Sequence, residues 1–463
     1  MVDLLIKNGY VITVDEKRRI IKDGAVAIDG NKIVDVGKTD DLIKKYKADE
    51  VIDAKDKIVM PGLIDTHVHL AQAMIRGCAD DVSLITWLKD RVWVLQGNYN
   101  AEDGKTSAEL CILEMLKTGT TTFLEVMIAG RYGFDGIAKV VEKSGIRAGL
   151  SKIVMDTLGY ADEDNIMYPG MAEEKEATIK EALDMHKKWD GAANGRIHVW
   201  FGPRTPGAVS PELYKEIRQL ADEHNMRITF HLGEVKADVE YTTKNFNLLP
   251  VEYAKSVGML GPDVVLAHGV WFTEKEIKLL AETGTHVSHN PSSNLKLASG
   301  YAPIPEMLRA GVNVGLGCDG GPSNNSYDMI REMKLAAIIH KARLLDPLVL
   351  PAEEVIEMAT INGAKAMGLE KEIGSIEKGK KADIILVDMT APHMVPPTNP
   401  VSNLVYAAHG YDVDTVIIDG KVIVRNKKVL TMDEEDIKKR ARERAVKVYE
   451  RAGIKISPQW PVE

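Results

Sequence analysis

Five histidines and two carboxylates of this sequence stand where apolar runs end: His67, His69, His231, His268 and His289, with Glu234 and Asp319. His67-Val68-His69 is the sharpest element. In an extended strand, residues i and i+2 point to one side, so both imidazoles can reach one ion. In ITFHLGE, His231 closes the apolar run and Glu234 follows it in the loop. A metal ligand and a proton-carrying carboxylate can then converge on one water. His268, in LAHGVW, can act as a ligand or as a general acid or base. Asp319, in GLGCDGG, can both touch a metal and accept a proton from its water. His289 and Asn290, in VSHNPSSNLKL, read as shapers of the site and substrate contacts, although Asn290 before Pro291 also suits turn chemistry. Cys318 reads as a buried filler. Nitrogen and oxygen donors of this kind suit one divalent ion per subunit, zinc first and ferrous iron as the alternative, with nickel or cobalt also served by the set. Such an ion brings the pKa of bound water to about 7.

These residues need a frame that points strand ends at one place. Between about 62 and 374 the chain alternates strand-like and helix-like segments, the pattern of βα units. Strands are expected at 62–70, 120–127, 146–154, 196–203, 226–232, 263–269, 285–290 and 312–320, with helices such as 172–189 and 211–225 between them. Eight strands close a (β/α)8 TIM barrel, whose C-terminal strand ends form the active-site mouth. The chain ends differ from this middle. Residues 1–61 are β-branched runs around NG and DG turns, and 382–389 and 414–430 resemble them. Unpaired edges at both ends need partners, so the ends are expected to build one small β-sandwich domain. The boundaries expected are 1–61 with 375–432 for that domain, 62–374 for the barrel, and 433–463 for a charged helix ending at Gly453 and a tail.

Composition narrows the function classes. The chain has 463 residues, 45% hydrophobic and 27% charged, which excludes wholesale disorder. A net charge of −9 without a basic stripe argues against a nucleic-acid partner. Three cysteines at wide spacing exclude a disulfide framework and suit a reducing, cytoplasmic setting. The first twenty residues lack the apolar core of a signal peptide. The uncharged stretch 389–411 contains four prolines, so no membrane span is expected there.

The motifs PGLIDTHVHL, HLGE, AHGVW, VSHNPSSNLKL and GCDGGPSNNS, with NGYVITVD and GSIEKGKKADIILVD at the flanks, resemble the amidohydrolase superfamily over nearly the whole chain. RGCADDVSLITWL resembles the lid of its nucleoside deaminase and triazine hydrolase branch. The resemblance implies that His67, His69, His231 and Asp319 are ligands of one metal. It implies that Glu234 protonates a ring nitrogen and that His268, with Asp319, handles the nucleophilic water. The fourth predicted strand lacks the lysine of binuclear members; Lys152, on the third, is the one candidate for such a role. The activity implied is hydrolysis of the exocyclic amine of a purine, pterin, pyrimidine or triazine, with release of ammonia. Alternatives are release of an alkylamine or chloride from a triazine-like ring, cyclic amide hydrolysis, and deamination of an S-adenosylhomocysteine or methylthioadenosine type of nucleoside. A non-enzymatic scaffold is disfavoured because every ligand position is filled.

Two departures from the branch bear on substrate. Arg204, in GPRTP, stands where its nucleoside deaminases usually have histidine, and Gln96 stands where they tend to have a ribose-gripping glutamate. Arginine would suit a carbonyl-rich or anionic substrate better than an adenine acceptor. Trp87 is a lid aromatic or lid anchor. Loops such as 127–136 and 156–172 would shape the rest of the pocket. The branch also implies a homodimer or higher homo-oligomer.

Overall fold

The computed structural model describes residues 1–160, 166–457, 460 and 461. Residues 161–165 of the loop 156–172, and part of the tail, lie outside the described residues. Eight parallel strands run through the middle of the chain: β1 (Leu63–His69), β2 (Thr120–Ile128), β3 (Arg147–Val154), β4 (Ile197–Pro203), β5 (Ile228–Leu232), β6 (Val264–His268), β7 (His286–His289) and β8 (Val314–Leu316). They pair in sequence order, and β8 returns to β1 through Leu316 opposite Asp65, which closes the barrel. Helices between strands follow local signals. Lys175–Trp189 starts three residues later than the pattern suggests, capped by the Glu174 carboxylate. Pro211–His224 has Ser210 accepting the Leu213 N–H and Pro211 in its first turn, where a missing N–H costs nothing.

The last barrel strand departs from the sequence expectation. The run 312–320 is broken at Gly317 and Cys318, and Asp319–Gly320 forms a separate short pairing with Val68 and His69 of β1. The break needs glycine at 317. A Cβ on Gly317 would lie 2.5 Å from Asn290 Oδ1 and 2.7 Å from His67 Cβ.

Both termini contribute to a second, nine-stranded sheet. Lys57–Pro61 pairs with Val2–Ile12 on one side and antiparallel with Ile384–Asp388 on the other, Val59 opposite Leu386. Leu4, Ile6, Val26, Ile28, Val59, Ile384, Leu386 and Ile417 share its apolar core. The first sixty residues are not all β: Thr39–Lys45 is a helix, with Asp40 and Asp41 in its first turn and Lys44 and Lys45 in its last, charges that suit the helix dipole. Buried Arg147 ties the barrel to the terminal sheet, with Asp419 Oδ1 3.9 Å from its Nη2 and Asp383 closer. Arg147 of β3 donates from Nε to Asp383 Oδ2 (3.0 Å) and from Nη2 to Oδ1 (3.2 Å), both side chains 2% exposed or less.

The C-terminal helix, Glu434–Ala452, begins at the Asp433 cap and ends at Gly453 with φ +66°. It lies along Ala101–Lys117, held by Arg444 to Asp103 and Lys117 to Glu434. Among the described residues, no helix is long and apolar enough to cross a membrane; 389–411 instead contains a short helix, Pro400–Tyr406.

Candidate metal-centred active site

The C-terminal strand ends bring His67, His69, His231, His268 and Asp319 together. One ring or carboxylate atom from each of His67, His69 and His231 lies within 4.8 Å of the others, and the same holds for His67, His268 and Asp319. His69 Nε2 and His231 Nε2 are 3.3 Å apart. Asp319 Oδ1 lies 3.5 Å from His67 Nε2 and 3.3 Å from His69 Nε2.

The surroundings fix these groups. Asp65 Oδ1 accepts the N–H of His67 (3.2 Å) and of Cys318 (3.1 Å), binding β1 to the turn that carries Asp319. His231 Nδ1 lies 3.3 Å from the Arg204 carbonyl oxygen. A carbonyl only accepts, so Nδ1 carries the proton and Nε2 keeps its lone pair, the arrangement a ligating histidine needs. Ser293 Oγ donates to Asp319 Oδ2 at 2.6 Å and leaves Oδ1 facing the histidines. Asp319 and His268 hold positive φ, +65° and +74°, strained values for non-glycine residues.

Charge states follow from burial. Desolvation lowers the pKa of the His67, His69 and His231 imidazoles and favours their neutral forms, His69 down to about 3. For Asp319 burial acts in the opposite direction, but contacts with His67, His69 and His268 outweigh it and hold the carboxylate ionised. The donor set fits a divalent cation: neutral imidazoles and one carboxylate. Both ring nitrogens of His67 are buried without a hydrogen-bond partner, and a bound cation would satisfy one of them.

Glu234 faces the same space from the loop after β5, its Oε2 3.8 Å from His268 Nε2. Burial raises its carboxyl pKa to about 7. Asp238 Oδ2 accepts the Glu234 N–H at 2.8 Å and so fixes the loop. His268 Nδ1 donates to Asn294 Oδ1 at 2.9 Å, and Asn290 Nδ2 lies 3.3 Å from the same nitrogen. With Nδ1 protonated, that Asn290 amide, itself a donor, makes no hydrogen bond to it; Asn290 Oδ1 accepts from Ser288 Oγ at 3.1 Å.

The cavity above these groups has a volume of about 60 Å³, well under the roughly 300–1,000 Å³ of ligand pockets. Its roof is Leu84–Gly97, where a π-helical turn, Leu88–Val92, interrupts two α-helical turns. Trp87 and Gln96 line the cavity from this roof, and Arg204 lines it from the end of β4. The sequence reading missed Trp93 and Gln72, which line it as well, while Met127 and Tyr160 come from the segments 127–136 and 156–172. For Trp93 the available signal was its spacing of three from Gln96, one helical face. His289 is placed otherwise than expected. It is not among the residues lining the cavity, and its Nε2 lies 3.3 Å from His340 Nε2. Lys152 also points away. Its Nζ donates to Glu173 (3.2 Å) and pairs with Glu181 (3.4 Å). Cys318 is buried and free.

Comparison with known proteins agrees with this geometry. The profile of the Amidohydrolase family matches residues 58–423. The chain belongs to the amidohydrolase family. Among curated amidohydrolase relatives, it is 44% identical to a 5-methylthioadenosine/S-adenosylhomocysteine deaminase of Thermococcus onnurineus, covering 92% of this chain and 95% of that one. It is 42% identical to a 5'-deoxyadenosine deaminase of Methanobrevibacter smithii, covering 95% and 96%. Among solved structures, an adenosine deaminase from Xanthomonas campestris with bound zinc superposes with a TM-score of 0.90 at 32% identity, covering 97% of this chain and 99% of that one. Atrazine chlorohydrolase from Arthrobacter aurescens TC1, complexed with zinc, gives 0.86 at 26% identity, covering 96% and 100%. The chain is accordingly a hydrolase of the amidohydrolase family, acting on carbon–nitrogen bonds.

Proposed function

We propose that His67, His69, His231 and Asp319 hold a single divalent ion, zinc by preference, and that Glu234, His268 and Asp319 carry out the proton transfers of deamination. One observation carries this reading: three neutral imidazoles and an ionised aspartate meet opposite a carboxyl group whose pKa is raised to about 7. The ion would supply Lewis acidity and an activated water at neutral pH. Asp319 takes a proton from the attacking water, its other oxygen being anchored by Ser293. His268, with Nδ1 committed to Asn294, presents Nε2 to the reacting region and steadies that water. Glu234 donates its proton to the ring nitrogen beside the carbon under attack, which neutralises charge developing on the ring. Asp319 passes the water's first proton to the amine, which leaves as ammonia; the remaining hydroxyl proton returns to Glu234, and the carbon keeps the oxygen as a carbonyl. Each proton transfer of this kind contributes about 10²–10⁴ in rate.

The relatives named for adenine nucleosides support an exocyclic ring amine as the leaving group; the chlorohydrolase keeps chloride in view. The test is product analysis with metal-loaded protein across aminated purines, pterins, pyrimidines and triazines. Ammonia from at least one ring class is expected. Chloride or alkylamine release without ammonia would replace this reading, and silence on every ring would end it. The protein is further proposed to work in the cytoplasm as a homodimer or higher homo-oligomer, which light scattering would check; a monomeric mass would refute the assembly.

A further inference from the structure

Arg204 is the first residue after β4, and its main chain is committed: its N–H donates to the Val154 carbonyl and its carbonyl accepts from His231. Its side chain is 6% exposed and lines the cavity together with Glu234, His268 and Asp319. The guanidinium has five donors and no acceptor. Its one side-chain hydrogen bond runs from Nη1 to Met127 Sδ at 3.7 Å, a weak acceptor. The Trp93 ring lies 5.4 Å from Cζ. Among the described residues no carboxylate pairs with it. The contrast with Arg147 is instructive: where this fold buries an arginine for structure, it supplies the two-pronged carboxylate of Asp383. A buried, uncompensated cation is expensive, and it is retained where a ligand completes it. Burial lowers the Arg204 pKa only to about 10, so the group stays charged at neutral pH. On the same cavity wall, the Trp93 indole N–H is buried without a partner.

We propose that Arg204 selects an amino-heterocycle that also carries a ring carbonyl, of oxo-purine, oxo-pterin or oxo-pyrimidine type, over the carbonyl-free ring of an adenine nucleoside. This rests on the aminohydrolase reading above and names its substrate class. The physical reason is the match of a charged, multi-donor fork to an oxygen that has two lone pairs and draws negative charge from the conjugated ring. A ring without that oxygen leaves the fork unpaired, and sites built to hydrogen-bond a group reject its absence by as much as about 10⁴–10⁵.

The test uses metal-loaded full-length protein and ammonia release from guanine, pterin and cytosine against adenine, adenosine and 5'-deoxyadenosine. The expected result is a kcat/KM preference of about 10² or more for at least one carbonyl-bearing ring. In Arg204→Met that preference should collapse by a similar factor, and Arg204→Lys, which keeps the charge but not the fork, should fall between. Calorimetric binding of the carbonyl-bearing products xanthine and uracil gives a readout separate from turnover, and the one that wild type binds should bind more weakly to Arg204→Met. If Arg204→Met does not fold, the wild-type preference and Arg204→Lys still decide. Preference for adenine nucleosides, or a preference unchanged in the variants, overturns the proposal and leaves the aminohydrolase reading standing. No ammonia from any ring overturns both.

Discussion

At the scale of single residues, Glu234 has the clearest consequence. Burial disfavours its charged form and raises its pKa to about 7. A raised carboxyl pKa means the donor is present below that value and lost above it. Deamination kcat/KM should therefore decline as pH rises through about 7, and Glu234→Gln should lower kcat by about 10²–10⁴ with metal content intact by elemental analysis. Ser293 acts through another group. Its hydroxyl holds Asp319 Oδ2, so Ser293→Ala should weaken metal affinity or activity by roughly 10–100-fold, read by metal titration. His67, His69, His231, His268 and Asp319 were legible in the sequence because each ends an apolar run and i, i+2 spacing fixes which side a strand residue faces. His289 shows where that logic stops. It too ends a strand, yet it turns to His340 on the helix Met329–Leu344, a neighbour fifty-one residues away whose position no local pattern reports.

At the scale of elements, the turn between β8 and Asp319 and the roof over the cavity decide most. Gly317 is required by close approach, since an added Cβ would collide with Asn290 and His67. Gly317→Ala should displace the His67 side and cost about 1–3 kcal/mol. Metal content at fixed free metal should drop together with the midpoint of thermal unfolding; an unchanged metal content would count against this account of the turn. The roof Leu84–Gly97 lies over a cavity of about 60 Å³, so turnover is expected to need its movement and should slow when it is cross-linked to the strand ends. Sequence placed a lid near 76–88 but not the π-helical turn at Leu88–Val92, which brings Trp93 and Gln96 onto the cavity. One extra residue in a helical turn leaves no compositional trace. The helix Thr39–Lys45 escaped notice for a related reason: seven residues are too few for a helical period to outweigh the surrounding β-branched runs.

At the scale of the whole molecule, barrel and terminal sheet meet through Arg147 and Asp383. Removing Asp383 takes both close hydrogen bonds from buried Arg147 and leaves it only Asp419, at 3.9 Å, so Asp383→Ala should destabilise the protein by up to about 3–5 kcal/mol and lower its Tm. An unchanged melt would show that the pair carries no such weight. Chelation should abolish activity and lower Tm, with both restored by added zinc, because a ligand bound only to the folded state adds about 2.7 kcal/mol at a hundred times its Kd. The sequence by itself determined the βα alternation, the eight strands, the joining of both ends in one β-domain and the cluster of ligating residue types, because hydrophobic period and strand-end position are local properties. Only the tertiary structure decided that Lys152 pairs with Glu173 outside the site, that His289 leaves it, and that Arg204 sits in it without a counter-charge. Those outcomes depend on which distant residues the closed barrel brings within a few ångströms, and that is fixed by packing rather than by spacing along the chain.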